Sequence, residues 1–239
     1  MGNRDDFKVY EGVFEKVTFQ ALERLTPKYF DRLIGPISTG KEADVYLAEK
    51  DNKRVALKIY RVMNRTYKGI DVYIRDDPRF HSLSHNPRLI IYEWTKKEFK
   101  NLARASDVGV RVPKPIAFFK NVLVMEFIGE DDIAYPTAKH QPPKKPDAWR
   151  NIIYKWIKML WEEKNMVHGD LSEYNIINYK EKPVIIDISQ AVLKQHPLSL
   201  KLLKRDVDNI TNWFKRQGVN DDSLQEWLIE VIKKVNEDV

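Results

Sequence analysis

The feature that most constrains this chain is the run His168-Gly169-Asp170-Leu171-Ser172-Glu173-Tyr174-Asn175, followed by Asp187 at the end of Val184-Ile185-Ile186-Asp187. An acid, an amide five residues later and a second acid twelve residues after that stand in the order that phosphoryl transfer needs. One carboxylate orients or deprotonates the nucleophile. The amide and the second carboxylate hold metal ions that bridge the phosphates. An Asp/Asn-rich turn before a hairpin would explain His-Gly-Asp alone, but not the Asn and the second Asp in register. The rest of the chain reads as scaffolding for this loop.

Composition bounds the alternatives. The 239 residues suffice for one domain or two modest lobes, and 43% hydrophobic with 32% charged residues describe a globular, soluble chain. No apolar run approaches ~18 residues, so no membrane partner is expected. The N-terminus lacks an apolar signal core, and Asp6 stands where the myristoylation pattern wants Ser or Thr. The absence of cysteine excludes disulfides, Cys-ligated zinc and a Cys nucleophile, and a cytoplasmic location is the default. The net charge of +6 permits, without requiring, a nucleic-acid or ribonucleoprotein partner; DNA is not expected.

Residues 1–35 read as an N-terminal helical extension. Phe19, Leu22, Leu25, Tyr29, Phe30 and Leu33 fall near helical spacing, Thr18 is a candidate N-cap, and Pro27 would open a second helix. Gly35 to Lys41 nearly fits a Walker A loop, but Glu42 fills the Ser/Thr position and a strand follows where a P-loop opens a helix. Alternation at Val45 and Leu47, then at Val55, Leu57 and Ile59, gives two strands around an Asp51-Asn52-Lys53 turn. Lys58 lies among apolar strand neighbours, as in the kinase Val-Ala-Ile-Lys strand, and a lysine so placed needs a partner. Glu98, on a helix expected from Leu89 to Ala105, is the candidate, with Glu93 as the fallback.

The polar stretch 61–90 reads as a long connection, with Ser82 and Ser84 as possible phosphate acceptors. Strands are expected over 112–118 and 121–128, a polar proline-rich link over 130–147, and an amphipathic helix from Ala148 to Lys164 capped at Asn165. Short strands at Ile176-Ile177 and Val184–Ile186 frame Asn175 and Asp187, and two helices, about 198–217 and 223–235, close the chain. The spacing His-x-Asp-x-x-x-x-Asn matches a kinase catalytic loop. The long activation segment, the Ala-Pro-Glu that ends it and the Phe-Gly after the metal-binding Asp are all missing.

These departures form a pattern of their own. Ser38-Thr39-Gly40-Lys41-Glu42-Ala43-Asp44-Val45-Tyr46, the His168–Asn175 loop, Ile186-Asp187-Ile188-Ser189-Gln190 and Lys204-Arg205-Asp206-Val207-Asp208-Asn209-Ile210 together resemble the RIO atypical protein kinases. The first subfamily fits better than the second, and compactness without cysteine suggests an archaeal member. The resemblance implies an α+β, bilobal kinase-like fold: an N-lobe over 36–127 and a truncated, helix-rich C-lobe over 128–239 that lacks an activation loop. It implies that Asp170 is the catalytic carboxylate and that Asn175 and Asp187 hold Mg²⁺ or Mn²⁺. Lys58 with Glu98 would position ATP, and Ser38, Thr39 and Lys41 would lie over its phosphates. Met125 would line the adenine pocket, and Glu126 and Ile128 would offer backbone groups. It further implies serine autophosphorylation, an ATPase route through a phospho-aspartate at Asp187, and a partner in the maturing small ribosomal subunit, protein and RNA. Two rivals stand beside this reading. One is a small-molecule phosphotransferase of the aminoglycoside or choline kinase type, for which the roughly 50 residues after Asp187 are few. The other is an ATP-gated ribosome-binding factor with little kinase activity.

Overall fold

The computed structural model describes residues 14–62, 67–80 and 86–237. Expectations for residues 1–13, and for Ser82 and Ser84, lie outside them. The chain divides into two compact units: Met1–Arg75 with Phe80–Ala103 and Pro113–Ala134, and Asp76–Arg79 with Arg104–Val112 and Tyr135–Val239.

The first unit is built on an antiparallel sheet. Its strands are β1 (Arg32–Thr39), β2 (Ala43–Lys50), β3 (Lys53–Tyr60), β4 (Pro115–Phe119) and β5 (Val122–Glu126), in the order β1-β2-β3-β5-β4. Asp51 and Asn52 both take positive φ, as a two-residue hairpin between right-twisted strands requires. A helix, α1 (Lys16–Leu25), buries Ala21, Leu22 and Leu25 on one sheet face against Leu33, Val55, Leu57, Ile59, Val122 and Val124. Each Leu, Val or Ile side chain so removed from water contributes about 1.5–3 kcal/mol.

The second helix expected after Pro27 does not form. Thr26, pushed to extended backbone by the proline ring that follows it, ends α1 and bonds back to the Leu22 carbonyl through its hydroxyl. The chain then turns into β1, and Phe30 and Leu33 join the same apolar cluster from a turn and a strand. The sheet accepts Gly35 and Pro36 because β1 is an edge strand, irregular in register at both places. Thr18 is not the cap: it lies inside α1, nearly buried, and its hydroxyl accepts from the Asn121 amide at 2.8 Å.

The central strand β3 is buried on both faces. Val55, Leu57 and Ile59 meet α1, so Ala56, Lys58 and Tyr60 point the other way. On that side Tyr60 packs with Ile70 and Ile74 of α2 (Tyr67–Arg75) and with Ile91 and Trp94 of α3 (Pro87–Asp107). The first of these helices falls within the stretch read from sequence as a connection.

The second unit is mainly helical. It holds the helices α4 (Pro146–Lys164), α5 (Ser199–Arg216) and α6 (Ser223–Glu237) and two short strand pairings. β8 (Met166–Val167) pairs with β11 (Val192–Leu193), and β9 (Ile176–Tyr179) with β10 (Lys182–Ile185). A two-residue ribbon of β6 (Gly129–Glu130) and β7 (Ile133–Ala134) closes the first unit. Pro146 starts α4 where a missing N–H costs nothing, and Asn165 ends it in left-handed backbone with its N–H on the Leu160 carbonyl. Edge-on aromatic contacts fasten α4 to α5: Trp149 to Trp213, and Tyr154 to Phe214, with ring centroids 6.4 and 5.9 Å apart.

Candidate active site

The loop that carries Asp170 is held from beneath by one buried carboxylate. Asp206 of α5 accepts the Gly169 N–H at 2.7 Å and the Leu171 N–H at 2.8 Å, which clamps the backbone on either side of Asp170. Gly169 has φ +83°, and a Cβ there would stand 3.1 Å from the Gln190 carbonyl oxygen, so the turn demands glycine. Burial pushes the Asp206 carboxyl up to about 7, against the pull of the two amide donors. The buried His168 ring accepts the Asp170 N–H at Nδ1, 3.3 Å away. Its proton therefore sits on Nε2, 3.3 Å from the Ile186 carbonyl, and this ties the loop to the segment that ends in Asp187.

Asn175 closes the loop. Its Nδ2 donates to the Asp170 carbonyl at 2.8 Å and approaches the Asp170 carboxylate at 3.4 Å. Its carbonyl oxygen accepts from the Ile186 N–H at 2.9 Å, which brings the residue before Asp187 alongside. With Nδ2 committed to donation, Asn175 presents Oδ1, an oxygen of the kind a hard cation takes. Asp187 has φ +54°, and the Ser189 hydroxyl donates to its Oδ1 at 2.9 Å. Burial raises the Asp170 carboxyl above the usual carboxylate range. Arg205 opposes this, Asp187 adds to it, and the Asn175 bond opposes it. Among the described residues no three His, Cys, Asp or Glu side chains group as a metal centre. The Asn175 amide oxygen and the Asp187 carboxylate are instead hard oxygen donors of the kind that fits Mg²⁺, which keeps water and substrate phosphates in its shell.

The first unit, taken by itself, holds the other residues singled out in the sequence. The Lys58 ammonium donates to Glu98 Oε1 at 2.8 Å, with both side chains almost wholly out of water, and Tyr60 Oη donates to the other Glu98 oxygen. The lysine therefore has the glutamate read from sequence as its partner, and Glu93 instead bonds Lys96. Ser38 and Thr39 end β1, and Lys41 follows in the exposed bend closed by the Gly40 N–H on the Ala43 carbonyl. Met125 and Glu126 end β5, opposite Ala56 and Val55, with Ile128 just beyond; the Glu126 N–H is engaged by the Lys114 carbonyl.

Sequence reading assigned no role to Asp206. The signal was present: Leu202, Leu203, Asp206, Val207 and Ile210 form one helical stripe, so the aspartate falls on the buried face.

A family model described as the RIO domain matches residues 44–227. The RIO-type serine/threonine-protein kinase Rio1 of Haloferax volcanii is 41% identical over 228 residues, which cover 94% of this chain and 78% of that protein. The Rio1 kinase of Methanocaldococcus jannaschii is 42% identical over 217 residues, 90% of this chain and 74% of that one. Among solved structures, the Rio2 kinase-ADP/Mg²⁺-phosphoaspartate complex from Chaetomium thermophilum matches with a TM-score of 0.66 at 24% identity, covering 86% of this chain and 62% of that one. At that identity the likeness speaks for the fold, a kinase-like α+β arrangement with a β-sheet part and a helical part, as the sequence implied. With the domain match spanning most of its length and archaeal relatives above 40% identity, the chain belongs to the RIO family of serine/threonine-protein kinases.

Proposed function

We propose that this protein is an ATP-dependent serine kinase that phosphorylates itself, can also hydrolyse ATP, and acts in the maturation of the small ribosomal subunit in the cytoplasm. Residues 36–127 would serve as its N-lobe and 128–239 as its C-lobe. The observation that carries the reading is the Asp170–Asn175 contact, with the backbone bond from Asn175 to the residue before Asp187. It holds the acid and the amide in one clamped loop and brings the residue before the second acid alongside.

In this reading Asn175 Oδ1 and the Asp187 carboxylate hold Mg²⁺ or Mn²⁺, and Lys58, fixed by Glu98, pairs with phosphate oxygens of ATP. Ser38, Thr39 and Lys41 cover the phosphates, while Met125, Glu126 and Ile128 take the adenine. The bound metal would supply charge neutralisation at the phosphates. Asp170 orients the attacking hydroxyl and receives its proton. Most of the acceleration is positioning and preorganised charge.

The phosphoaspartate of the Chaetomium thermophilum Rio2 complex supports a second route. A carboxylate oxygen of Asp187 bonds the γ-phosphorus, ADP departs with the bridging oxygen, and water then hydrolyses the acyl phosphate.

The test follows label from γ-labelled ATP with the purified chain and Mg²⁺. Label that survives mild alkali with hydroxylamine is a serine or threonine ester and supports the kinase. Label lost to hydroxylamine, with steady phosphate release, supports the ATPase route. No label and no phosphate release would overturn both.

A further inference from the structure

Phosphoryl transfer concentrates negative charge on the oxygens in transit, yet the loop His168–Asn175 contains neither Lys nor Arg. A cation stands beside it on α5. Arg205 Nη2 lies 3.9 Å from Asp170 Oδ1 and donates to Gln190 Oε1 at 3.4 Å, while Gln190 Nε2 donates to Asp170 Oδ2 at 3.4 Å. Arg205 directly precedes Asp206 in the chain. The carboxylate that clamps the loop therefore also fixes where the guanidinium emerges.

The pair is not a committed structural ion pair. Arg61 in the same molecule grips Asp44 with two nitrogens, at 2.7 and 3.1 Å, the fork geometry that arginine and carboxylate prefer. Arg205 instead makes two long contacts through one nitrogen, and its side chain is 42% exposed. Among the described residues Nε and Nη1 have no protein acceptor. A planar fork held loosely beside the catalytic carboxylate, with donors to spare, is arranged for an anion that arrives later.

We propose that Arg205 is a catalytic residue that contacts the phosphoryl group in transit, supplying from α5 the positive charge the loop lacks. The proposal rests on the kinase reading above. In the step, the acceptor hydroxyl oxygen bonds the γ-phosphorus and the bond to the β,γ-bridging oxygen breaks, its electron pair leaving with ADP. The hydroxyl proton passes to Asp170. Arg205 bonds equatorial oxygens that gain charge only as this happens, so it contributes to the transition state and little to ATP binding. Gln190 keeps the guanidinium and the carboxylate apart until then.

The experiment compares wild type, Arg205→Ala and Arg205→Lys in three measurements. These are MgATP affinity by calorimetry, affinity for MgADP with aluminium fluoride as a mimic of the transferring group, and turnover. Alanine is the best helix former and the position is part-exposed, so Arg205→Ala should melt like wild type. The expected result is MgATP affinity within about threefold of wild type, aluminium fluoride affinity reduced at least about tenfold, and turnover down about 10²–10³-fold. Lysine should recover only part, because a point charge cannot bond two oxygens at once. Guanidinium salt should restore some turnover to the alanine variant. An alanine variant that binds the aluminium fluoride complex as tightly as wild type, or turns over within threefold of it, overturns this inference alone. A wild type that turns over no ATP overturns the kinase reading and this inference with it.

Discussion

Lys58 and Glu98 form an ion pair with 2.8 Å between nitrogen and oxygen, and their side chains are only 9% and 2% exposed. Two charges so far from water stabilise one another by this contact, with Tyr60 Oη on the second carboxylate oxygen. Glu98→Ala removes the carboxylate that faces the buried ammonium and should lose about 3–5 kcal/mol in urea unfolding. Lys58→Met with Glu98→Gln removes both charges and keeps the volume, so it should regain most of that loss while MgATP binding stays weak. A double variant less stable than Glu98→Ala would mean that the pair contributes net stability and that desolvation does not offset its attraction.

In the proposed mechanism, Asp170→Ala removes a group used chiefly as the phosphoryl group moves. Turnover should fall about 10²–10⁴-fold with MgATP affinity nearly unchanged. Far-UV circular dichroism should match wild type, because the loop is clamped through the backbone at Gly169 and Leu171 and not through the Asp170 side chain. A variant with normal turnover removes Asp170 from the mechanism.

Asn175→Ala deletes the 2.8 Å bond to the Asp170 carbonyl and, in the proposed mechanism, the oxygen that would face the metal. The lost bond should cost about 1 kcal/mol of stability. The Mg²⁺ concentration for half-maximal turnover should rise at least about tenfold, the scale on which metal affinity responds to lost support. Chelation should abolish turnover in wild type, and Mg²⁺ or Mn²⁺ should restore it without shifting the apo melting temperature. An unchanged Mg²⁺ requirement would move the metal away from Asn175.

What the sequence made legible follows from where its signals are strong. Alternation over Val55–Ile59 marks β3 and singles out Lys58 as the charged member of a buried face, and helical spacing puts Glu98 in a helix with Trp94 and Leu102 inward. The fixed spacing of Asp170 and Asn175 is local, and the two side chains meet within one short loop. Less was legible where tertiary context overrides local preference. Gly35 and Pro36 disguise β1, which only an edge position permits, and the polar stretch after Val62 hides α2 because few of its residues need burial. The neighbours Lys204, Arg205 and Asp208 make Asp206 look solvated, although its register with Leu203 and Ile210 places it inside.

That buried carboxylate leaves a signature in pH. The Asp206 carboxyl titrates at about 7 in the folded chain, against 3.8 as its ordinary value. Below about pH 4 it is protonated folded and unfolded alike. Between about 4 and 7 the folded state keeps a proton that the unfolded state has released, so stability falls as pH rises through this window, and above it the folded group is charged as well. Urea midpoints should therefore drop between pH 5 and pH 7.5. Asp206→Asn should flatten that part of the profile, because its group does not titrate. It should also be less stable than wild type at pH 5: an amide has one acceptor oxygen for the Gly169 and Leu171 N–H groups and turns a donor toward the other. An Asp206→Asn profile with the wild-type slope would show that other groups set the pH dependence and that this carboxylate is ionised throughout.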